Sequence, residues 1–149
     1  MSAPQQPLSR PRVVDVAFWL LAVGAVVLIG GGMLAATVSF DAARGAIDSA
    51  VSDEQVRQYL MLYRGMGIGS VLSGAGLAFL AGRTRGGDAR FRRATIGLGL
   101  AVTVLLAILA FVFAVAQPVT LAAVLPIVAG VILLTRPASS AWYTAKDPT

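Results

Sequence analysis

Residues 16–38 read VAFWLLAVGAVVLIGGGMLAATV, twenty-three consecutive positions without a charge. At a rise of about 1.5 Å per residue, a helix of that length covers the roughly 30 Å hydrocarbon layer of a bilayer. A surface helix of a soluble domain would show a polar face along such a run, and this stretch has none. Arg10 and Arg12 ahead of it also suit a secretory leader. However, the apolar run exceeds the ~7–15 residues usual for a cleavable segment, and Asp15 interrupts its basic flank. The stretch is therefore read as a membrane span.

The same reading extends along the chain. Residues 60–81, 94–116 and 119–135 are further spans, the last at the short limit for a crossing, so that Arg136 extends its aliphatic stem to the interface. Gln117 and Pro118 form the turn between the last two, and Pro126 is a candidate kink. Apolar residues make up 57% of the chain and charged ones 13%, with a mean hydropathy of +0.80, more apolar matter than one soluble core of this size can use. The expected fold is all-α, an integral membrane four-helix bundle over residues 12–143. Residues 1–11, rich in Pro and Gln, form a disordered cytoplasmic tail, and residues 144–149 a second cytoplasmic tail.

Between the first two spans lies a polar connection in which Phe40, Ala43, Ile47 and Ala50 recur at helical spacing. A short amphipathic helix on the membrane surface fits this pattern, with Arg44 and Asp48 as an i,i+4 pair. Ser52 and Gln55 form a capping box that starts the next helix at Asp53, supported by an Asp53/Arg57 pair.

Charge placement gives the orientation. Arg10, Arg12, Arg83, Arg85, Arg90, Arg92, Arg93, Arg136 and Lys146 lie on one side, nine in all, against Arg44 and Arg57 on the other. The positive-inside rule then puts both termini in the cytoplasm and makes the protein multi-pass. Trp19 and the Trp142-Tyr143 pair fall where an aromatic belt is expected.

Chemistry-bearing motifs are few. Cysteine and histidine are absent, which removes thiol chemistry, disulfides and the commonest metal ligands, so no cofactor is expected. Gly67 and Gly69 begin a G-x-G pattern, but Leu72 stands where G-x-G-x-x-G needs its third glycine, and no strand precedes it. Ser70 and Ser73 lack the preceding glycine of G-x-S-x-G, since Ile68 and Val71 occupy that position. An enzyme is not expected, because acid-base chemistry would rest on carboxylates at the span edges. Nucleic-acid binding is not expected either, the basic loop being short and poor in stacking aromatics.

The second span is the most informative. At about 100° per residue, Gly65, Gly69, Ser73 and Gly76 fall on one face and Gly67, Ser70, Gly74, Ala78 and Ala81 on another, with Ile68, Val71, Leu72 and Phe79 on the arc between. Small faces let helix backbones approach closely, so both are candidates for internal packing or for an oligomer interface, and the bulky arc meets lipid. Arg64 is the one charge within a span and falls on that lipid arc. It snorkels to headgroups or pairs with a loop carboxylate such as Glu54, or else it contacts a substrate or ion. Arg83, Arg85, Arg90, Arg92 and Arg93 form the topology-setting loop and a candidate site for anionic headgroups.

Residues 11–20 (PRVVDVAFWL) and 133–143 (LLTRPASSAWY), framing four Ala/Val/Gly-rich spans, resemble small four-span membrane proteins of actinobacteria. That resemblance implies a plasma-membrane location and no catalytic residues. Three functional classes follow: an accessory or structural subunit that packs with other membrane proteins or with itself, a small oligomeric transporter or channel, and an enzyme. A transporter coupled to protons would lack its carboxylate, since no Asp or Glu lies deep in a span.

Overall fold

A computed structural model describes residues 9–112 and 117–146, all of it helix and connecting loop. The greater part of the N-terminal tail, the last residues of the third span and the final three residues lie outside the described residues. The elements are α1 (Arg12–Ala36), α2 (Phe40–Ala46), α3 (Asp53–Thr84), α4 (Ala89–Val112), α5 (Pro118–Ala122), α6 (Val124–Thr135) and α7 (Pro137–Lys146). Helix α1, helix α3, residues Ala89–Phe111 and the α5–α6 segment are each long and apolar enough to cross a membrane. The chain is a small multi-pass membrane protein built as a four-helix bundle. Helix α1 packs on α3 and α6, and α4 closes the ring by packing on the same two.

Glycine makes the closest contacts. Gly32 of α1 and Gly67 of α3 face each other so tightly that a Cβ added to either would sit 2.5 Å from the other's carbonyl oxygen. Farther along the same seam, a Cβ on Gly74 would meet Ile29 Cγ1 at 2.7 Å. On the other side of α1, Gly24 meets Ile127, Gly31 meets Thr120, and Gly130 of α6 receives Leu21. Around these contacts the core is aliphatic, with Leu21, Leu28, Leu77, Ile127 and Leu134 fully buried.

Several elements differ from the sequence reading, each for a local reason. The fourth crossing is split at Ala123, because Pro126 has no N–H for the Ala122 carbonyl and its ring would clash with it. Helix α4 begins at Ala89, inside the arginine-rich loop, where Asp88 Oδ1 accepts from the Arg90 amide at 2.7 Å. Gly87 makes the preceding turn at φ 84°, in the left-handed region that glycine favours. The capping box at Ser52 and Gln55 forms as read, but the two i,i+4 pairs do not. Arg44 instead donates to the Val51 and Asp48 carbonyls at 2.7 and 2.8 Å and lies 3.7 Å from Asp53. These nearby acceptors form when α2 ends at Ala46 and the chain turns back toward α3. Helix α2 accordingly packs its apolar side on α3, where Ala43, Val56 and Leu60 form a second small core.

The largest departure is at the C-terminus. Residues 137–146 are a helix folded against the bundle, with Ser139, Trp142 and Tyr143 buried. Trp142 and Tyr143 are thus core residues of the bundle's base and not belt residues, whereas Trp19 is 63% exposed. The Tyr143 hydroxyl donates to the Thr84 carbonyl at 2.9 Å, the Ser139 hydroxyl to the Leu133 carbonyl at 2.8 Å, and Arg92 Nε to the Leu134 carbonyl at 3.0 Å. The base therefore gathers the start of α1, the α3–α4 turn and α7, and the opposite end, the crown, carries α2 and the start of α3.

Two stability outcomes follow for protein in mild detergent. Gly67→Ala should lower the thermal midpoint by the equivalent of roughly 1–3 kcal/mol, because the backbone at Gly32 cannot yield as a side chain would. Gly65→Ala, two residues away, meets nothing within 4 Å and should be neutral or slightly stabilising; matching losses at both positions would refute the assigned seam. At the base, burial pushes the Tyr143 phenol above its usual pKa. Its protonated form is favoured in the folded state, so stability is intact below about pH 10 and falls as pH rises beyond it. Tyr143→Phe should cost about 1 kcal/mol at neutral pH and flatten that alkaline decline.

Candidate functional site

The three feature sets singled out from sequence, the small faces of α3, the lone Arg64 and the basic loop, occupy distinct parts of the bundle. On α3, Gly67, Ser70, Gly74 and Ala81 are buried, and Gly67 and Gly74 face α1 directly. Ala78, read onto the same face, is exposed, and the neighbouring Leu77 is the residue buried at that level of α3. The second small face divides along its length. Near the base, a Cβ added to Gly76 would lie 3.4 Å from Leu98 of α4, whereas toward the crown Gly65 and Gly69 are exposed and an added Cβ would meet nothing within 4 Å among the described residues. Ser73, between them, is half-buried. Ile68, Leu72 and Phe79 point outward at 56, 69 and 58% exposure, whereas Val71, read onto the same lipid-facing arc, is half-buried because it turns toward α1 beside Gly32.

The open half of this face forms one wall of a groove between α3 and α4 with a volume of about 360 Å³. Gly65 and Gly69 line one side, Leu105, Leu106 and Leu109 the other, and Leu28 of α1 also contributes. The groove shares Met61 and Gly65 with a wider depression of about 700 Å³ at the crown, which is lined by Arg57, Arg64, Phe40 and Ile68.

Arg64 does not reach Glu54. Its Nε and Nη2 both donate to the Val38 carbonyl, at 2.9 and 2.6 Å, in the segment that follows α1. A cation at this place meets the negative end of the α1 dipole and satisfies a carbonyl that no helix amide reaches. The nearby Thr37 hydroxyl serves the Met33 and Leu34 carbonyls in the same way. Arg57, two turns earlier, lies over the Phe40 ring at 5.6 Å.

The arginine loop is only partly free. Arg85 lies 3.4 Å from Asp15, which also pairs with Arg10 at 2.9 Å, and its guanidinium covers the Phe18 ring at 4.6 Å. Arg92 is held by the Leu134 carbonyl and stacks on Tyr143 at 5.4 Å. Arg83 sits over Phe79 and Phe91. Arg90 and Arg93 are exposed and form no ion pair among the described residues.

Sequence reasoning missed two features. One is the base formed by Thr84, Ser139, Trp142 and Tyr143, signalled only by the aromatic pair. The other is Gln117, which is buried beside Ser70 and Thr120 with its Oε1 in no hydrogen bond among the described residues. No group of three potential metal-ligating acidic, His or Cys side chains occurs among the described residues. Comparison with known protein families, with curated proteins and with solved structures finds no match.

The Arg64 contact predicts a graded series. Arg64→Lys keeps one cationic donor for Val38 and should retain most of the thermal stability, whereas Arg64→Met should lose about 1 kcal/mol through the unsatisfied carbonyl. If lysine were no better than methionine, the role of Arg64 would lie in its planar, two-pronged geometry and not in capping α1.

Proposed function

We propose that this chain is a structural or accessory subunit of a plasma-membrane complex that works through its outer surface. The observation that carries this reading is the closed interior. The helices meet at glycines, the large inward side chains are aliphatic apart from Trp142 and Tyr143 at the base, and no charged side chain is buried among the described residues. What the bundle offers to other molecules lies outside. On α4, Ala94, Gly97 and Ala101 are exposed at helical spacing, and an added Cβ at Gly97 meets nothing within 4 Å. Such a stripe suits close approach by another membrane helix, from a different protein or from a second copy.

Both termini are assigned to the cytoplasm. Support comes from the nine Lys and Arg of the base, against Arg44, Arg57 and Arg64 toward the crown. Within that base, Arg90, Arg93 and Arg83 are the residues assigned to anionic headgroups, since Arg85 and Arg92 are engaged within the protein. Catalysis is not part of this reading.

Purification in mild detergent followed by identification of co-purifying proteins tests the proposal. A stoichiometric partner that is lost in Gly97→Leu, with the melting midpoint unchanged, is the expected result. A partner-free homo-oligomer that passes solute across liposomes would replace the accessory reading with a small oligomeric transporter or channel. For orientation, single cysteines at the exposed Ala46 and Ala145 should respond oppositely to an impermeant thiol reagent in intact cells, with only Ala46→Cys labelled. Labelling of Ala145→Cys would reverse the assignment.

A further inference from the structure

We propose that the crown depression and the groove between α3 and α4 together form a binding site for one anionic phospholipid, with its phosphate between Arg57 and Arg64 and an acyl chain lying along Gly65 and Gly69. The two spaces adjoin along α3, where Met61 and Gly65 line both. Their linings divide as the two ends of a lipid do. The depression carries two arginines and no acidic residue, while the groove is lined by Leu, Met, Val and Gly apart from the hydroxyls of Ser70 and Ser73. Arg57 and Arg64 are seven residues apart on one helix, about two turns, so both face the same side of α3. Arg64 uses Nε and Nη2 on Val38, leaving Nη1 without a protein partner in the described hydrogen bonds.

Magnitudes separate a lipid chain from a docked helix. A helix is about 10 Å across with its side chains, so the roughly 360 Å³ of the groove corresponds to less than one turn of it. A partner helix would rest on the rim and leave the deeper space beside Leu28 and Gly69 unfilled. An extended hydrocarbon chain is narrow enough to reach that space. Because the groove opens sideways from a bundle that lies in the membrane, such chains surround it at high concentration. The arginines add selection: a phosphate whose charge is not balanced by its own headgroup gains two charge-assisted contacts, and a zwitterionic lipid gains less. This site lies at the opposite end of the bundle from Arg90 and Arg93, and its lipid is distinct from any held there.

Native mass spectrometry of the purified full chain tests the proposal, with phosphatidylglycerol and phosphatidylcholine of identical acyl chains as probes and glycerol 3-phosphate as the head-only control. One phosphatidylglycerol per chain should survive conditions that strip phosphatidylcholine, and glycerol 3-phosphate should not be retained. Arg57→Gln and Gly69→Leu should each lose that lipid, whereas Arg90→Gln combined with Arg93→Gln should keep it. Gly69→Leu projects into open space and should melt normally in lipid-free detergent; Leu105→Trp narrows the groove from α4 and provides a second, independent chain-blocking variant. Equal retention of the two lipids overturns the charge assignment, and retention of glycerol 3-phosphate overturns the acyl-chain assignment. Loss of a protein partner instead of a lipid on Gly69→Leu shows that a helix fills the groove and overturns the proposal.

Discussion

In a lipid bilayer two helices gain nothing from removing apolar surface from their surroundings, because the surroundings are equally apolar, and association must come from van der Waals contact at close range. Every packing choice in this bundle answers to that constraint. Helix α1 meets the constraint on two sides at once. Gly32 brings it against Gly67 of α3, and Gly24 and Gly31 bring it against the α5–α6 segment. Where one helix is bare, its partner either is bare as well or supplies a single branched side chain that fits the gap, as Ile29 does at Gly74 and Leu21 at Gly130. Dispersion is gained over many small contacts, each of which depends on separations of a few tenths of an ångström.

The ends of the helices pose a different problem, since terminal carbonyls have no helical partner. Arginine answers it repeatedly. Arg64 serves Val38 beyond the end of α1, Arg92 serves Leu134 near the end of α6, and Arg44 serves Asp48 and Val51 after α2. In each case a cation meets the negative end of a helix or the loop just beyond it, where the dipole adds to the hydrogen bond. The excess of arginine over lysine thus has a structural use besides its effect on orientation. A guanidinium carries several donors on one plane and can hold a carbonyl while covering an aromatic ring, as Arg92 does with Tyr143.

How much of this could be read in advance depends on the distance over which each signal acts. The four crossings were legible because uncharged runs of about twenty residues have few other meanings. The capping box at Ser52 and Gln55 was legible because it is local to four residues. That Gly67, Ser70 and Gly74 share one face follows from helical geometry alone, but their burial and the neighbour they meet do not, and neither does the emptiness beside Gly65 and Gly69. That emptiness depends on the path of α4, which is fixed by the Gly87 turn and by contacts such as Gly99 against Val131 of α6. The partner of Arg64 was equally hidden, since Val38 lies 26 residues away and offers a backbone atom that no sequence pattern marks. Helix α7 was missed because PASSAWYTAK has neither the length nor the hydropathy of a span; its order comes from tertiary contacts with the α3–α4 turn.

The contrast between base and crown follows from the connection between α3 and α4. A short turn at Gly86 and Gly87 tethers the two helices at the base, where Phe79 and Phe91 meet edge to face at 6.4 Å and Leu98 lies close enough to Gly76 that an added Cβ would touch it. Nothing comparable ties them at the crown among the described residues. There α3 presents Gly65 and Gly69 to a row of leucines that do not reach them. Larger residues at those two positions would have closed the gap in the ordinary way of a packed interior. Glycine inside a helix also costs about 1 kcal/mol relative to alanine, and at Gly65 and Gly69 no close contact inside the protein offsets that cost. An acyl chain lying against α3 would supply the missing contact, which is the role proposed for the crown end of the α3–α4 seam, separate from the α4 stripe at Ala94, Gly97 and Ala101.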